Sequence, residues 1–91
     1  MCPFMGGSAP AMANQIVEGY TLLTAVQLKR VTDPELELLQ FEVDKIQREL
    51  RSQTVAQDDI QAIQARSRKL ARITGAMQQL QATRAKRKRH A

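Results

Sequence analysis

Five branched apolar side chains alternate at spacings of three and four residues along the middle of the chain. This spacing puts them on one face of an α-helix, as at the a and d positions of a coiled coil. The preceding Thr32-Asp33-Pro34-Glu35 is typical of a helix start, because proline lacks the amide proton that the first helical position leaves unpaired. We therefore predict a helix over 34–52. Its first stripe consists of Leu36, Leu39, Val43, Ile46 and Leu50.

A second apolar stripe lies nearer the C-terminus and predicts another helix over about 55–85. Thr54 followed by Gln57 resembles a capping box, so we place a break before this helix, although 51–54 contains neither Gly nor Pro. One uninterrupted helix over 34–85 is the alternative interpretation. The buried side of the later helix would consist of Ile60, Ile63, Leu70, Ile73, Met77 and Leu80.

These two helices differ in length, which matters if they fold back on each other as a hairpin. At 1.5 Å per residue, the later helix would be roughly 45 Å long and the earlier one roughly 28 Å. The later helix would then extend past its neighbour by several turns. We expect the extending part to be its basic C-terminal end.

The N-terminal third of the chain has weaker patterns. Residues 1–11 contain Gly, Pro and Ser without periodicity and are predicted to form a flexible arm. Residues 12–31 are predicted to form a first helix that is buried on more than one side. A strand is the alternative there, since Tyr, Thr, Val and Leu are frequent in this segment.

The scarcity of aromatic residues supports a helical fold. Phe4, Tyr20 and Phe41 are the three aromatic residues, and there is no Trp, so the core must come from aliphatic side chains that suit helix packing. We predict an all-α protein, a two- or three-helix hairpin or coiled-coil-like bundle with flexible termini. Its helical domain would span 12–85, and a basic tail would follow over 86–91.

Charge is distributed unevenly along the chain. All nine acidic residues lie before Ile60, and the remainder carries nine basic residues and no acidic one. In a hairpin, Glu42, Asp44 and Glu49 would pair with the basic residues of 66–72 only if the register of the two helices allows it, and the tail itself has no acidic counterpart left. Asp44–Arg48 and Lys45–Glu49 are further opposite-charge pairs, four residues apart on one helix.

The cationic C-terminal part makes a polyanion a candidate partner, either a nucleic acid or an acidic protein surface. A solubility or targeting segment is the alternative interpretation of the tail. The candidate polyanion-binding residues are Arg66, Arg68, Lys69, Arg72, Arg84, Lys86, Arg87, Lys88 and Arg89.

The sequence has little of the chemistry that enzymes use. His90 is the sole histidine and Cys2 the sole cysteine, which is too few for a recognisable metal site or an intrachain disulfide. No glycine-rich phosphate loop is present. We therefore predict a protein that is not an enzyme and needs no cofactor. The absence of a signal peptide or a long apolar stretch predicts no membrane span and a cytoplasmic location.

The primary functional prediction is a non-catalytic assembly or adaptor subunit that works by helix–helix association, as a homo-oligomer or in a larger assembly. The alternative is a small basic nucleic-acid-binding protein that dimerises through its helical stripes. The candidate association residues are Leu36, Leu39, Val43, Ile46, Leu50, Ile63, Leu70, Ile73, Met77 and Leu80.

Overall fold

Helices account for nearly all of the regular structure, as the apolar spacing predicts. The computed structural model describes residues 8–90, without the side chain of His90. Within that range the helices are α1 (Ala9–Glu18), α2 (Ala25–Leu28), α3 (Asp33–Ser52) and α4 (Ile60–His90). The described residues include no strand, so the all-α prediction is confirmed and the strand alternative for 12–31 is wrong.

The start of α3 forms as Thr32 and Pro34 predict. The backbone N–H of Glu35 donates to the Thr32 hydroxyl at 3.4 Å, and the Thr32 N–H donates to the Glu35 carboxylate at 3.0 Å. Together these bonds make a capping box, which satisfies two amides that the helix end leaves unpaired. The Thr32 hydroxyl also donates to the same carboxylate at 2.6 Å. These side-chain and backbone hydrogen bonds lower the pKa of Glu35, since they favour its charged form.

We expect a carboxyl NMR titration to show a pKa for Glu35 below the usual glutamate value. A lowered pKa in the folded state contributes stability above the unfolded-state value, and that contribution is lost as pH falls through the folded value. Thr32→Val removes the hydroxyl donor and should raise the pKa of Glu35. Thr21→Val removes a hydroxyl elsewhere and serves as the control. An unchanged Glu35 titration in Thr32→Val would contradict this explanation.

The core lies where α3 and α4 pack in opposite directions. Arg87 near the end of α4 contacts Asp33 at the start of α3 at 2.9 Å, whereas Arg66 reaches the Leu50 carbonyl near the end of α3 at 2.8 Å. Helix α1 packs against both long helices, and α2 packs against α4. The buried core comprises Ala9, Met12, Ala13, Ile16, Val17, Leu23, Leu28, Val31, Leu36, Leu39, Val43, Leu50, Ile73, Ala76 and Leu80.

Two short helices replace the single helix predicted over 12–31. Helix α1 ends because Gly19 adopts a left-handed conformation with φ of 86°. The N–H of Gly19 donates to Ile16 and that of Tyr20 to Gln15, which is the Schellman pattern of a helix end. The chain re-enters a helix at α2 through a second capping box, formed by Thr24 and Gln27.

The ends of the described chain also differ from the prediction. Ser8 caps α1, and Pro10 lies in its first turn, so the last residues of the predicted arm 1–11 are part of a helix. Residues 1–7 of that arm lie outside the described range. At the other end, α4 continues to His90, so most of the predicted tail 86–91 is helical.

The link between the long helices confirms a break, which excludes the uninterrupted helix over 34–85. Helix α3 ends at Ser52, and α4 begins at Ile60 rather than near residue 55, with Asp59 accepting from the N–H of Ala62 at 3.1 Å. Because the end of α3 lies level with Arg66, the part of α4 that extends past it is its N-terminal end. The prediction of a basic overhang is therefore wrong. Ile60 and Ile63, predicted to be buried, are 64% and 39% exposed.

Candidate interaction surfaces

Three arginines of α4 bind the C-terminal carbonyls of the other three helices. Arg66 donates to Leu50 at 2.8 Å and to Arg51 at 3.3 Å, both in the last turn of α3. Arg72 donates to Val17 of α1 at 2.9 Å. Carbonyls in the last turn of a helix lack the amide donor four residues further on and carry partial negative charge, so a guanidinium stabilises them.

Arg87 makes the third contact of this kind. It donates to the carbonyl of Leu28, the last residue of α2, at 2.7 Å and to the Asp33 carboxylate at 2.9 Å. The tail therefore does have an acidic counterpart, contrary to the prediction. Arg66, Arg72 and Arg87 are all engaged inside the chain, which reduces their capacity to bind an external anion.

The register of α3 and α4 does not bring Glu42, Asp44 or Glu49 into an ion pair with the basic residues of 66–72. Lys69 pairs with Glu18 of α1 at 3.4 Å, and Asp44 pairs with Arg48 on its own helix at 2.9 Å, as its spacing predicts. With Asp33–Arg87, these are the ion pairs of the described residues. The reason is where α1 and the end of α3 lie. The end of α3 places its carbonyls beside Arg66, and α1 places the Val17 carbonyl beside Arg72 and Glu18 beside Lys69.

Cations collect where α2 and α4 end. Lys29, directly after α2, lines a cleft of about 260 Å³ with Lys86 and Arg87. A cleft of about 500 Å³ on the neighbouring side is lined by Arg84 and Lys88, together with two carboxylates, Asp33 and Glu37. We call this surface the cationic end; it comprises Lys29, Arg84, Lys86, Arg87, Lys88 and Arg89.

The predicted polyanion-binding residues thus divide into two groups. Arg84 donates to the side chain of Gln40, which adds it to the engaged group of Arg66, Lys69, Arg72 and Arg87. Arg68, Lys86, Lys88 and Arg89 are exposed and have no side-chain partner within the described residues. Lys29 cannot be recognised as part of this group from the sequence, since only the packing of α2 on α4 brings it beside Lys86.

Most of the predicted association residues lie inside the chain's own core. Ile46, Leu70 and Met77 are partly buried at its edge, and Ile63 is exposed. The remainder are buried between the helices: Leu36, Leu39, Val43, Leu50, Ile73 and Leu80. An interface with another chain would therefore use different side chains.

Exposed apolar residues occur on the outer side of α3 and around α2. Leu38 and Phe41, which form a short second stripe three residues apart, are 50% and 62% exposed, and no other described element covers them. Leu22 and Val26 are exposed beside α2. A groove of about 500 Å³ separates the α1–α2 turn from the middle of α4, where Ala71, Gly75 and Ala76 form one side.

The described residues contain no group of three or more His, Cys, Asp and Glu side chains that could hold a metal ion. Cys2 and the side chain of His90 lie outside the part of the chain that the structure describes. None of the described helices has the combination of length and apolar character that a membrane crossing needs.

The function of this chain has to be inferred from its own surfaces. No protein-family model matches the sequence, no curated protein is significantly similar to it, and no solved structure significantly matches its fold.

Proposed function

We propose that this protein is a non-catalytic helical assembly subunit that associates through the outer face of α3, with a second copy of itself as the partner. The observation that supports the proposal is the exposure of Leu38 and Phe41 on one side of a well-formed helix. Residues three apart lie side by side on a helix, so the two side chains form a single apolar patch. Burial of each against another helix would contribute about 1.5–3 kcal/mol.

The charge pattern of α3 favours a second copy as the partner. The first half of α3, over 33–42, carries four acidic residues and no basic one. The second half, over 44–51, carries three basic and two acidic residues. A two-fold axis across α3 would pair the helix with its own copy in the opposite direction. Each acidic half would then face the more basic half of the other copy, which favours this orientation.

Self-association on this face is compatible with the folded chain, because it leaves the core intact. The first stripe faces α4 and α1, whereas Leu38 and Phe41 lie on the opposite side of α3. A dimer therefore needs no opening of the hairpin. The interface would be small and centred on two aromatic rings, a type in which a few buried anchors supply most of the binding energy.

Phe41→Glu is expected to weaken self-association about a hundredfold or more. In a two-fold dimer the substitution removes two buried rings and introduces two like charges. The measurement is mass in solution by light scattering and sedimentation across a dilution series of the full chain. Val26→Glu makes the same kind of change on an apolar side chain that is 71% exposed elsewhere, and it should leave the dimer unchanged.

Circular dichroism of both variants checks that the helical fold survives. A monodisperse monomer of the unmutated chain at its highest soluble concentration would overturn the proposal. A dimer that Phe41→Glu leaves unaffected would place the interface elsewhere and would overturn it as well.

A further inference from the structure

We propose that the cationic end binds double-stranded DNA through its phosphates, without reading the base sequence. This inference does not depend on self-association through α3. Its basis is that Lys29, Lys86, Lys88 and Arg89 meet at one end of the molecule as exposed cations without partners in the described chain. Cations in the last turn also stabilise α4 through its dipole, but Lys29 belongs to a different element, which that effect does not explain.

The cations lie on more than one side of α4. Lys86 lies on the side that faces Lys29, Lys88 lies on the side of Arg84, and the exposed Arg89 lines neither cleft. A flat anionic surface would contact one side and leave the other uncompensated. The grooves of a DNA duplex present phosphates on two walls, and the major groove is wide enough to admit an α-helix.

Three other partners fit this surface less well. A membrane surface calls for an apolar face beside the cations. Residues 81–89 contain no large apolar side chain, and the exposed Val26, three residues before Lys29, is a single large apolar side chain rather than a face. A single-stranded nucleic acid is usually held by stacking on aromatic rings, and 60–89 contains none. An acidic protein face is a flat anionic surface, so it would contact the cations on only one side of α4. Contacts to phosphate carry no base information, so we expect binding to be insensitive to sequence.

The two sides of the cationic end are not equivalent. The cleft formed by Ala25, Lys29, Thr83, Lys86 and Arg87 contains no carboxylate. The cleft beside Lys88 contains Asp33 and Glu37, which offset part of its positive charge. Phosphate should therefore contact the Lys29–Lys86 side more strongly, so a charge reversal at Lys86 should cost more affinity than one at Lys88.

The test measures fluorescence anisotropy of a labelled DNA duplex of arbitrary sequence, titrated with the full chain at about 50 mM salt, where phosphate contacts are strong. We expect Lys86→Glu to weaken binding about tenfold or more and to make the salt dependence shallower by about one counterion. Arg68→Glu is the matched control. It makes the same change in net charge on the same helix, at an exposed cation away from the cationic end, and should retain most of the affinity.

Several results would overturn the inference. The first is that the unmutated chain does not bind the duplex. The second is that Lys86→Glu and Arg68→Glu lose the same amount of affinity for the duplex. The third is that the chain binds phosphatidylserine vesicles or polyglutamate more strongly than the duplex. Phe41→Glu separates the two proposals, since it should abolish dimers while each chain keeps its contacts to phosphate. Circular dichroism again confirms that each variant is folded.

Discussion

Leu39→Ala is expected to lower the free energy of unfolding by about 2–5 kcal/mol, through lost transfer energy and the cavity that remains. Leu39 is completely buried, in the same core as Val43, Ile73 and Leu80. A chain of this size has a thin core and a total stability of about 5–15 kcal/mol at most. The variant should therefore unfold at a much lower urea concentration and temperature, as followed by circular dichroism.

The adjacent residue provides the control for this substitution. Leu38→Ala removes the same atoms from a side chain that is half exposed, so it should cost well under half as much. Both variants are compared at a concentration low enough to exclude self-association. Equal losses at the two positions would mean that the first stripe does not face α4 as described.

Gly19→Ala is expected to lower the free energy of unfolding by about 1–2 kcal/mol, the usual cost of a left-handed conformation for an L-residue. Gly19 has a φ of 86°, and a Cβ added there would lie 2.9 Å from Cζ of Arg72. The guanidinium is the far end of a flexible side chain and can shift, so the positive φ should account for most of the loss. A thermal melt of the variant measures it.

Gly75→Ala is the matched substitution with the opposite expected sign. Gly75 lies within α4, and an added Cβ there would meet nothing within 4 Å. Alanine is favoured over glycine in a helix by about 0.8–1.0 kcal/mol, so this variant should be more stable than the unmutated chain. Destabilisation by both substitutions would contradict the geometry described for one of the two glycines.

Local signals predicted the elements of this fold better than their arrangement. The Thr32–Glu35 box and the first stripe located α3 to within one residue. The end of α1 was missed although Gly19 is a recognised stop signal, because the apolar residues continue beyond it to Leu23 and Leu28. Leu23 lies in the segment between α1 and α2, and Leu28 is the last residue of the short α2. Both are buried although they do not continue the helical period of α1.

The relative position of α3 and α4 could not be predicted from their stripes. Both stripes permit several offsets, and the offset decides that Ile60 and Ile63 extend into solvent. The partners of the arginines could not be predicted from the sequence either. A pattern of side-chain charges predicts only carboxylate partners for arginine, whereas Arg66 and Arg72 bind backbone carbonyls. Every residue of the cationic end except Lys29 is predicted from the sequence.

The contacts of Arg66, Arg72 and Arg87 have a consequence for how the molecule opens. Each of the shorter helices has its final carbonyls tied to a side chain of the longest one. Fraying from the C-terminal ends of α1, α2 and α3 would therefore have to break a link to α4. The native state should accordingly lose its structure as one cooperative unit, and the integrity of α4 should govern the lifetime of all the others.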